Sequence, residues 1–342
     1  PTASIDAEEL AALNHDWRHH QLNRLDVVEQ LTLRPLAHDG TYFDCPSNKR
    51  SDMSHGKKRD RGDAWSRVLG DYTVAPVNVM ANEEFITVEY LARPTPLQTS
   101  IKAGKRSYPL SREPLELAGA YVARIKNGFI AEVEHYYDFS AILRRLGVLS
   151  AAPMGHDEPV GQPPPLVHGV GFLNAGMLQR PVGVAPGRRA VSVGSSKSER
   201  ARGNVANCTA IHEAFVQHTP DRFGELIARD AVWIDMPTGA VLDGAVAAAH
   251  HDHGNWQAAF PDSDAIVDRL IANDDWVAVQ HRGNGTHTGQ LTIGGRSFAP
   301  TGRRMEIRVL DIVQYNPKSQ AILIRNYYDT AMMLAQLGLG IG

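Results

Sequence analysis

The chain has 342 residues, 43% hydrophobic and 21% charged, enough apolar material for a packed core and too much for a disordered chain. A formal net charge of −3 provides no global field for nucleic acid or acidic lipid, and two cysteines, Cys45 and Cys208, exclude a disulfide scaffold. Length points to two domains, no apolar run reaches the roughly 20 residues of a membrane helix, and no signal-peptide core is present, so a reduced, cytoplasmic protein is expected.

From the N-terminus, a helical region is expected over 8–36, with His15 and His19 one turn apart. A basic cluster follows at Lys49, Arg50, Lys57, Lys58, Arg59 and Arg61. Asp52, Asp60 and Asp63 dilute it, so it reads as a solvated loop or contact surface rather than a nucleic-acid site. Residues 151–203 are rich in proline, glycine and serine at both ends and read as a linker. Its apolar middle, 172–178, is expected to dock on a domain, and 195–202 to be mobile. Helical spacing resumes over 207–229, broken at Thr219-Pro220, and a strand over 232–235 is stopped by Pro237. A third helix is expected over 244–259, then strands over 266–272, 276–285, 303–315 and 321–328, the last two joined by the turn 316–319. Helices first and an antiparallel sheet after describe an α+β domain, and a curved sheet roofed by helices makes a conical pocket.

The chain repeats itself. Residues 136–147 read YYDFSAILRRLG and residues 327–338 read YYDTAMMLAQLG, an offset of 191. The same offset brings Asp44-Cys45-Pro46 onto Asp235-Met236-Pro237, Trp65 onto Trp256, Asn82 onto Asn273 and Pro109 onto Pro300. One register without a gap implies a tandem duplication. The domains are then 1–150 and 204–342, joined by the linker 151–203.

The second copy carries, in order, Ala259-Phe260-Pro261-Asp262, Asn273-Asp274-Asp275-Trp276, Gly285-Thr286-His287-Thr288-Gly289, Ala299-Pro300-Thr301-Gly302-Arg303, and Asp329 ahead of Gln336-Leu337-Gly338. This series resembles the SnoaL-like polyketide cyclase family, also called ester cyclases, of the nuclear-transport-factor-2-like superfamily. The first copy resembles it weakly, since Thr95-Pro96-Leu97 replaces the glycine-threonine-histidine motif. The resemblance implies two tandem cone-shaped domains that are able to pack as a pseudo-dimer. It also implies acid–base chemistry without metal or organic cofactor on a hydrophobic, carbonyl-containing small molecule. Aldol-type cyclisation, isomerisation, dehydration and hydrolysis all remain open, as does a non-catalytic binding or assembly module. Nucleic acid and membrane are not expected partners.

The resemblance places the acid/base role on Asp329, with Asp138 as its weaker counterpart. Chemistry alone favours Asp329 as a helix N-cap, and only the resemblance brings a catalytic role level with it. Asp311 lies amid Val309, Leu310, Ile312 and Val313, where a carboxylate needs an ion pair or a cavity. The offset makes Ala120 its counterpart. His287, in the family motif, is expected to polarise a carbonyl or shuttle a proton, and His281, six residues earlier, shares its strand parity. Tyr327 is a hydrogen-bond donor for an enolate oxygen, although a pleated strand turns only one of Tyr327 and Tyr328 inward. Asp235 reads as a turn aspartate or a pocket acid, and Trp256 as core or pocket wall. His250 and His253 share a helix face but lack a third ligand, so no metal is expected. Asp329 and Asp311 facing a buried pocket would favour an enzyme, whereas an Asp329 engaged only in capping would favour a module.

Overall fold

The computed structural model describes residues 5, 7–53, 63–70, 72–103, 105–113, 115–149, 190–293 and 296–339. The expectations for 57–61 and 172–178, and for the side chains of His250 and His253, lie outside the described residues. The first copy opens with α1 (Ala7–Asn23) and α2 (Asp26–Thr32), then β1 (Leu36–Asp44), β2 (Lys49–Asp52) and α3 (Ala64–Leu69). Strands β3 (Thr73–Ala81) and β4 (Phe85–Arg93) follow, then a hairpin of β5 (Ser100–Ala103) and β6 (Arg106–Pro109). Strands β7 (Leu117–Lys126) and β8 (Phe129–Tyr136) lead into α4 (Phe139–Arg145). After β9 (Ala190–Val193), the second copy repeats the plan: α5 (Glu199–Val216), α6 (Pro220–Leu226), β10 (Ile227–Asp235), β11 (Ala240–Asp243) and α7 (Ala245–His251), which continues as a π-helical turn, Asp252–Gln257. Strands β12 (Asp264–Ala272) and β13 (Trp276–Thr286), the hairpin β14 (Leu291–Ile293) and β15 (Arg296–Phe298), strands β16 (Arg304–Tyr315) and β17 (Ala321–Tyr327), and α8 (Thr330–Gln336) complete it. No helix among the described residues is long and apolar enough to cross a membrane.

The two sheets have one strand order, β2-β1-β8-β7-β4-β3 and β11-β10-β17-β16-β13-β12, and β9 adds a seventh strand to the first beside β3. They are not purely antiparallel: β1 runs parallel to β8, and β10 to β17. A parallel pair needs a long connection, which the rest of each copy supplies. The expected linker is partly structured. Residues 190–193 form β9, and α5 begins at Glu199, ahead of the boundary drawn at 204. Residues 195–202 are held rather than loose, since Ser195 and Ser196 bind Glu83 and Ser198 caps α5 through Ala201 N.

The repeat also contains a compensated shift. Val88 pairs with Tyr121 in the first sheet, and Val279 with Asp311 in the second. The valines differ by 191, but Tyr121 and Asp311 differ by 190. The missing residue returns in the β16–β17 turn, because Ile130 and Ala321 are again 191 apart at their pairing positions. The counterpart of Asp311 is therefore Tyr121, not Ala120.

Side-chain alternation gives each sheet two destinations. In β16, Val309, Asp311 and Val313 face the helices, while Leu310 and Ile312 join a core shared by both domains. That core includes Phe43, Met80, Leu91 and Val122 from the first copy and Ile234, Ile271 and Leu323 from the second. The sheets thus pack face to face and the helix-roofed cones lie on the outer sides. Reciprocal contacts mark a pseudo-twofold: Asn82 Nδ2 donates to Ala272 O at 3.0 Å, and Asn273 Nδ2 donates to Ala81 O at 3.3 Å.

The polar centre of this interface breaks the symmetry. Arg325, fully buried, forms an ion pair with fully buried Glu89, through Nε at 2.6 Å and through Nη2. Asn78 Nδ2 and the Tyr327 hydroxyl also donate to Glu89, each at 2.7 Å. The 191-offset counterparts are Gln280 for Glu89, Glu134 for Arg325, Arg269 for Asn78 and Tyr136 for Tyr327. There Arg269 reaches Gln280 at 3.0 Å and Glu134 at 3.4 Å. Replacing Arg325 by Met leaves the Glu89 carboxylate buried and unpaired. A loss of about 3–5 kcal/mol is expected in urea unfolding, most of it recovered by adding Glu89→Gln.

Candidate functional site

The second cone holds a cavity of about 90 Å³ that opens to solvent on one side. Its apolar wall includes Ile211 and Phe215 from α5, Phe223 from α6, Trp256, and Met305, Ile307 and Val309 from β16. Its polar lining comes from His212, Trp233, Ser263, His281, Asp311, Asn326 and Tyr328, among others. Pleating explains the set: His281 follows Val277 and Val279 on the inner face of β13, and Asn326 lies opposite Asp311 in the β16–β17 register.

Asp311 sits between two imidazoles. His281 Nε2 lies 3.0 Å from Asp311 Oδ2, and His212 Nε2 lies 3.4 Å from the same oxygen. His212 Nδ1 donates to Cys208 O, one turn back in α5, at 2.9 Å. With Nδ1 carrying a proton, Nε2 can face a carboxylate only if it carries one as well, so His212 is an imidazolium. Burial alone would lower its pKa, but Asp311 and Cys208 hold it well above 6.5. Burial alone would raise the Asp311 carboxyl, but His281 and His212 hold it well below 3.8. In the neutral ring, His281 donates Nε2–H to Asp311 and keeps a lone pair on Nδ1. That Nδ1 is buried and has no hydrogen-bond partner among the described residues. The three donor atoms lie within 4.8 Å of one another, a spacing that could also hold a divalent ion.

Residues 207–337 match the family profile described as SnoaL-like polyketide cyclase. The second copy is thus similar to SnoaL-like proteins over most of its length. A solved structure of a candidate SnoaL-like polyketide cyclase from Jannaschia sp. CCS1 is 17% identical, covering 41% of this chain and 95% of its own, with a TM-score of 0.38. IdmH, a candidate polyketide cyclase from Streptomyces antibioticus, is 28% identical over 40% of this chain and 99% of its own, at 0.33. AclR, a candidate hydroxylase from Streptomyces galilaeus, is 20% identical over 40% and 85%, at 0.35. No curated protein matches the chain.

Within the second copy the residues singled out from sequence separate into groups. Asp311, His281 and Trp256 line the cavity. Asp329 does not. Its Oδ2 accepts Met332 N at 2.7 Å, capping α8, and its Oδ1 accepts Phe139 N at 2.7 Å from the other domain. Asp138 mirrors it, accepting Ala141 N and Thr330 N. Both aspartates are thus reciprocal caps at the domain interface, where burial and Asp138 push the Asp329 pKa well above 3.8. Tyr327 points to Glu89, and it is Tyr328 that faces the cavity. Asp235 stands behind Tyr328, whose hydroxyl donates to it at 3.4 Å, and Thr238 closes the turn onto it. Burial lifts Asp235 to about 7. His287 lies past the end of β13, so strand parity no longer applies; it packs on Phe260 and pairs Nδ1 with Thr301 Oγ1 at 3.1 Å, away from the cavity. Sequence reading missed His212, Trp233, Ser263 and Asn326. The available signal for His212 was its place beside Ile211 and Phe215 on the apolar stripe of α5.

The first cone has the same backbone and almost no space, about 20 Å³. Gln21, Tyr90, Tyr121 and His135 occupy the places of His212, His281, Asp311 and Asn326. Tyr90 and Tyr121 stack at 4.9 Å, and Tyr121 stacks on His135 at 4.1 Å. Tyr90 fits because it crosses Gly119, where an added Cβ would lie 2.4 Å from the tyrosine hydroxyl.

Two outcomes test these assignments. His212 has a raised pKa, so its stabilisation is full below pH 6.5 and is lost as pH rises through the folded value; Asp311 has a lowered one, so its stabilisation is full above pH 3.8 and is lost as pH falls. Unfolding free energy should therefore fall on the alkaline side of about pH 6.5, and His212→Gln should flatten that limb. Asp329→Ala should cost about 1–2 kcal/mol in denaturant unfolding through its two lost caps, with Asp329→Ser recovering part.

Proposed function

We propose that the second copy holds an acid–base active site for a hydrophobic, carbonyl-containing small molecule, with His281 as general base and Asp311 as the residue that orients it. The observation that carries this reading is the unpartnered, buried Nδ1 of His281, in a ring fixed from the other side by Asp311. His212 anchors Asp311 in turn, so the base is held by a hydrogen bond from β13 to β16 and an ion pair from β16 to α5. This moves the acid/base role away from Asp329, whose two oxygens are taken up by backbone amides.

In the proposed reaction, His281 Nδ1 takes a proton from the carbon beside a carbonyl, and the C–H electron pair becomes an enolate. Attack of that carbon on a second carbonyl of the same molecule forms the new C–C bond, and the imidazolium returns the proton to the alkoxide. Return of the proton to a different carbon gives isomerisation. The cyclase-type activity rests on the family match of residues 207–337. The first copy, with its cavity filled by tyrosines, acts as a non-catalytic packing partner.

Solvent deuterium uptake next to the carbonyl, followed by NMR across a panel of ketones with the full-length protein, reads proton abstraction before the substrate is known. His281→Gln should slow uptake by roughly 10²–10⁴-fold, and Asp311→Asn should lower it as well. Uptake at the unmutated rate in a folded His281→Gln protein would sink the assignment.

A further inference from the structure

We infer that the cavity of the second copy takes the head of a small, uncharged hydroxyketone, one ring at most, whose carbonyl accepts from Trp233 and whose hydroxyl donates to Asn326. The inference rests on the reading of this cavity as the active site and names its ligand. Trp233 Nε1, Ser263 Oγ and Asn326 Oδ1 are buried atoms of cavity-lining residues, each without a hydrogen-bond partner among the described residues. The residues are 7%, 8% and 9% exposed. Buried polar groups are nearly always satisfied, and these three orphans, beside His281 Nδ1 on the same cavity, point to a ligand that satisfies them. The indole N–H can only donate and the amide oxygen can only accept, so the ligand must supply one acceptor and one donor.

The first cone offers a comparison at one of these positions, although its own lining residue Trp17 also has an Nε1 without a partner among the described residues. At the place of Asn326 it has His135, whose two ring nitrogens pair with the hydroxyls of Tyr42 at 2.8 Å and Tyr90 at 2.7 Å. The same scaffold therefore satisfies that position when its cavity is filled.

Charge and size narrow the ligand further. Asp264 and Asp311 line the cavity with no lysine or arginine among its described lining residues, which disfavours an anion. A volume of about 90 Å³ lies below the ~150 Å³ cavity that accepts benzene in another protein, so the enclosed part is one ring at most and any tail leaves through the open side.

Saturation-transfer NMR titrations of the full-length protein test this with four probes: 2-hydroxycyclohexanone, cyclohexanone, methylcyclohexane and 1-hydroxyanthraquinone. The hydroxyketone should bind best, with cyclohexanone about fivefold weaker for its one lost hydrogen bond. Trp233→Phe should weaken both ketones by about fivefold and leave methylcyclohexane unchanged, while Asn326→Leu should remove only the advantage of the hydroxyl. Thermal melts establish that each variant is folded. Equal binding of methylcyclohexane overturns the polar assignment, tighter binding of 1-hydroxyanthraquinone overturns the size limit, and no binding by any ring overturns the ligand class. His281→Gln should keep this affinity while losing deuterium uptake. Failure of the panel with uptake intact therefore rejects the ligand alone, and intact binding with uptake insensitive to His281 rejects the base alone.

Discussion

The buried Glu89–Arg325 pair is the contact on which the arrangement of the two copies depends. It lies between two sheets whose apolar faces would pack in any combination, and it decides which combination is permitted. Two second copies facing each other would set Arg325 against Gln280 and Arg269, with no carboxylate between the arginines. Two first copies would set Glu89 against Asn78 and Glu134, with no cation. Only a first copy against a second gives Glu89 its four donors, from Arg325, Asn78 and Tyr327. A charge pair of this kind costs desolvation and contributes partner choice. Covalent fusion removes the need for identical partners, so the two halves of the interface can carry different charges.

That freedom extends to the cones. Each sheet sends alternate residues outward to the interface and inward to the cone, so a cone can change while the interface persists. The first copy fills its interior with Tyr90, Tyr121 and His135, stacked and hydrogen-bonded to one another. The second places shorter His281, Asp311 and Asn326 at those positions and leaves space beside them. The exchange replaces aromatic packing with orphan polar atoms, which do not stabilise, and with a charged cluster whose contribution depends on pH. Sites that sacrifice local stability in this way are expected where function requires it.

Much of the fold was legible in the sequence because duplication and periodicity are written there directly. The constant offset identified two copies, and strand parity set Tyr327 and Tyr328 on opposite faces without telling which faces the cone, so the donor named from sequence, Tyr327, is the wrong one of the two. The site was legible only in part. Asp311 stood out as a carboxylate within an apolar strand, which is a physical anomaly on its face. Its partner His212 lies 99 positions earlier in the numbering, on a helix, and no local pattern links the two. The offset itself misled at one point, because a residue lost before β16 and regained after it leaves every motif aligned while exchanging Ala120 for Tyr121 as the counterpart of Asp311. His287 misled for the related reason that its parity was counted past the end of its strand.

Asp329 and Asp311 show why the surroundings of a carboxylate, rather than its place in a motif, decide its role. Both are buried, and burial pushes both toward the protonated form. Asp329 faces the Asp138 carboxyl across the interface, which raises it further, and the amides of Phe139 and Met332 only partly offset this. Its two oxygens are taken up by backbone amides, and it is not among the residues that line the cavity. Asp311 faces two imidazoles, which overcome burial and keep it ionised. An aspartate held so far below neutrality is a poor proton acceptor, and what it supplies is orientation. The one basic atom of the cluster not already committed is His281 Nδ1, and for that reason the proton transfer belongs to the imidazole and the aspartate belongs to its support.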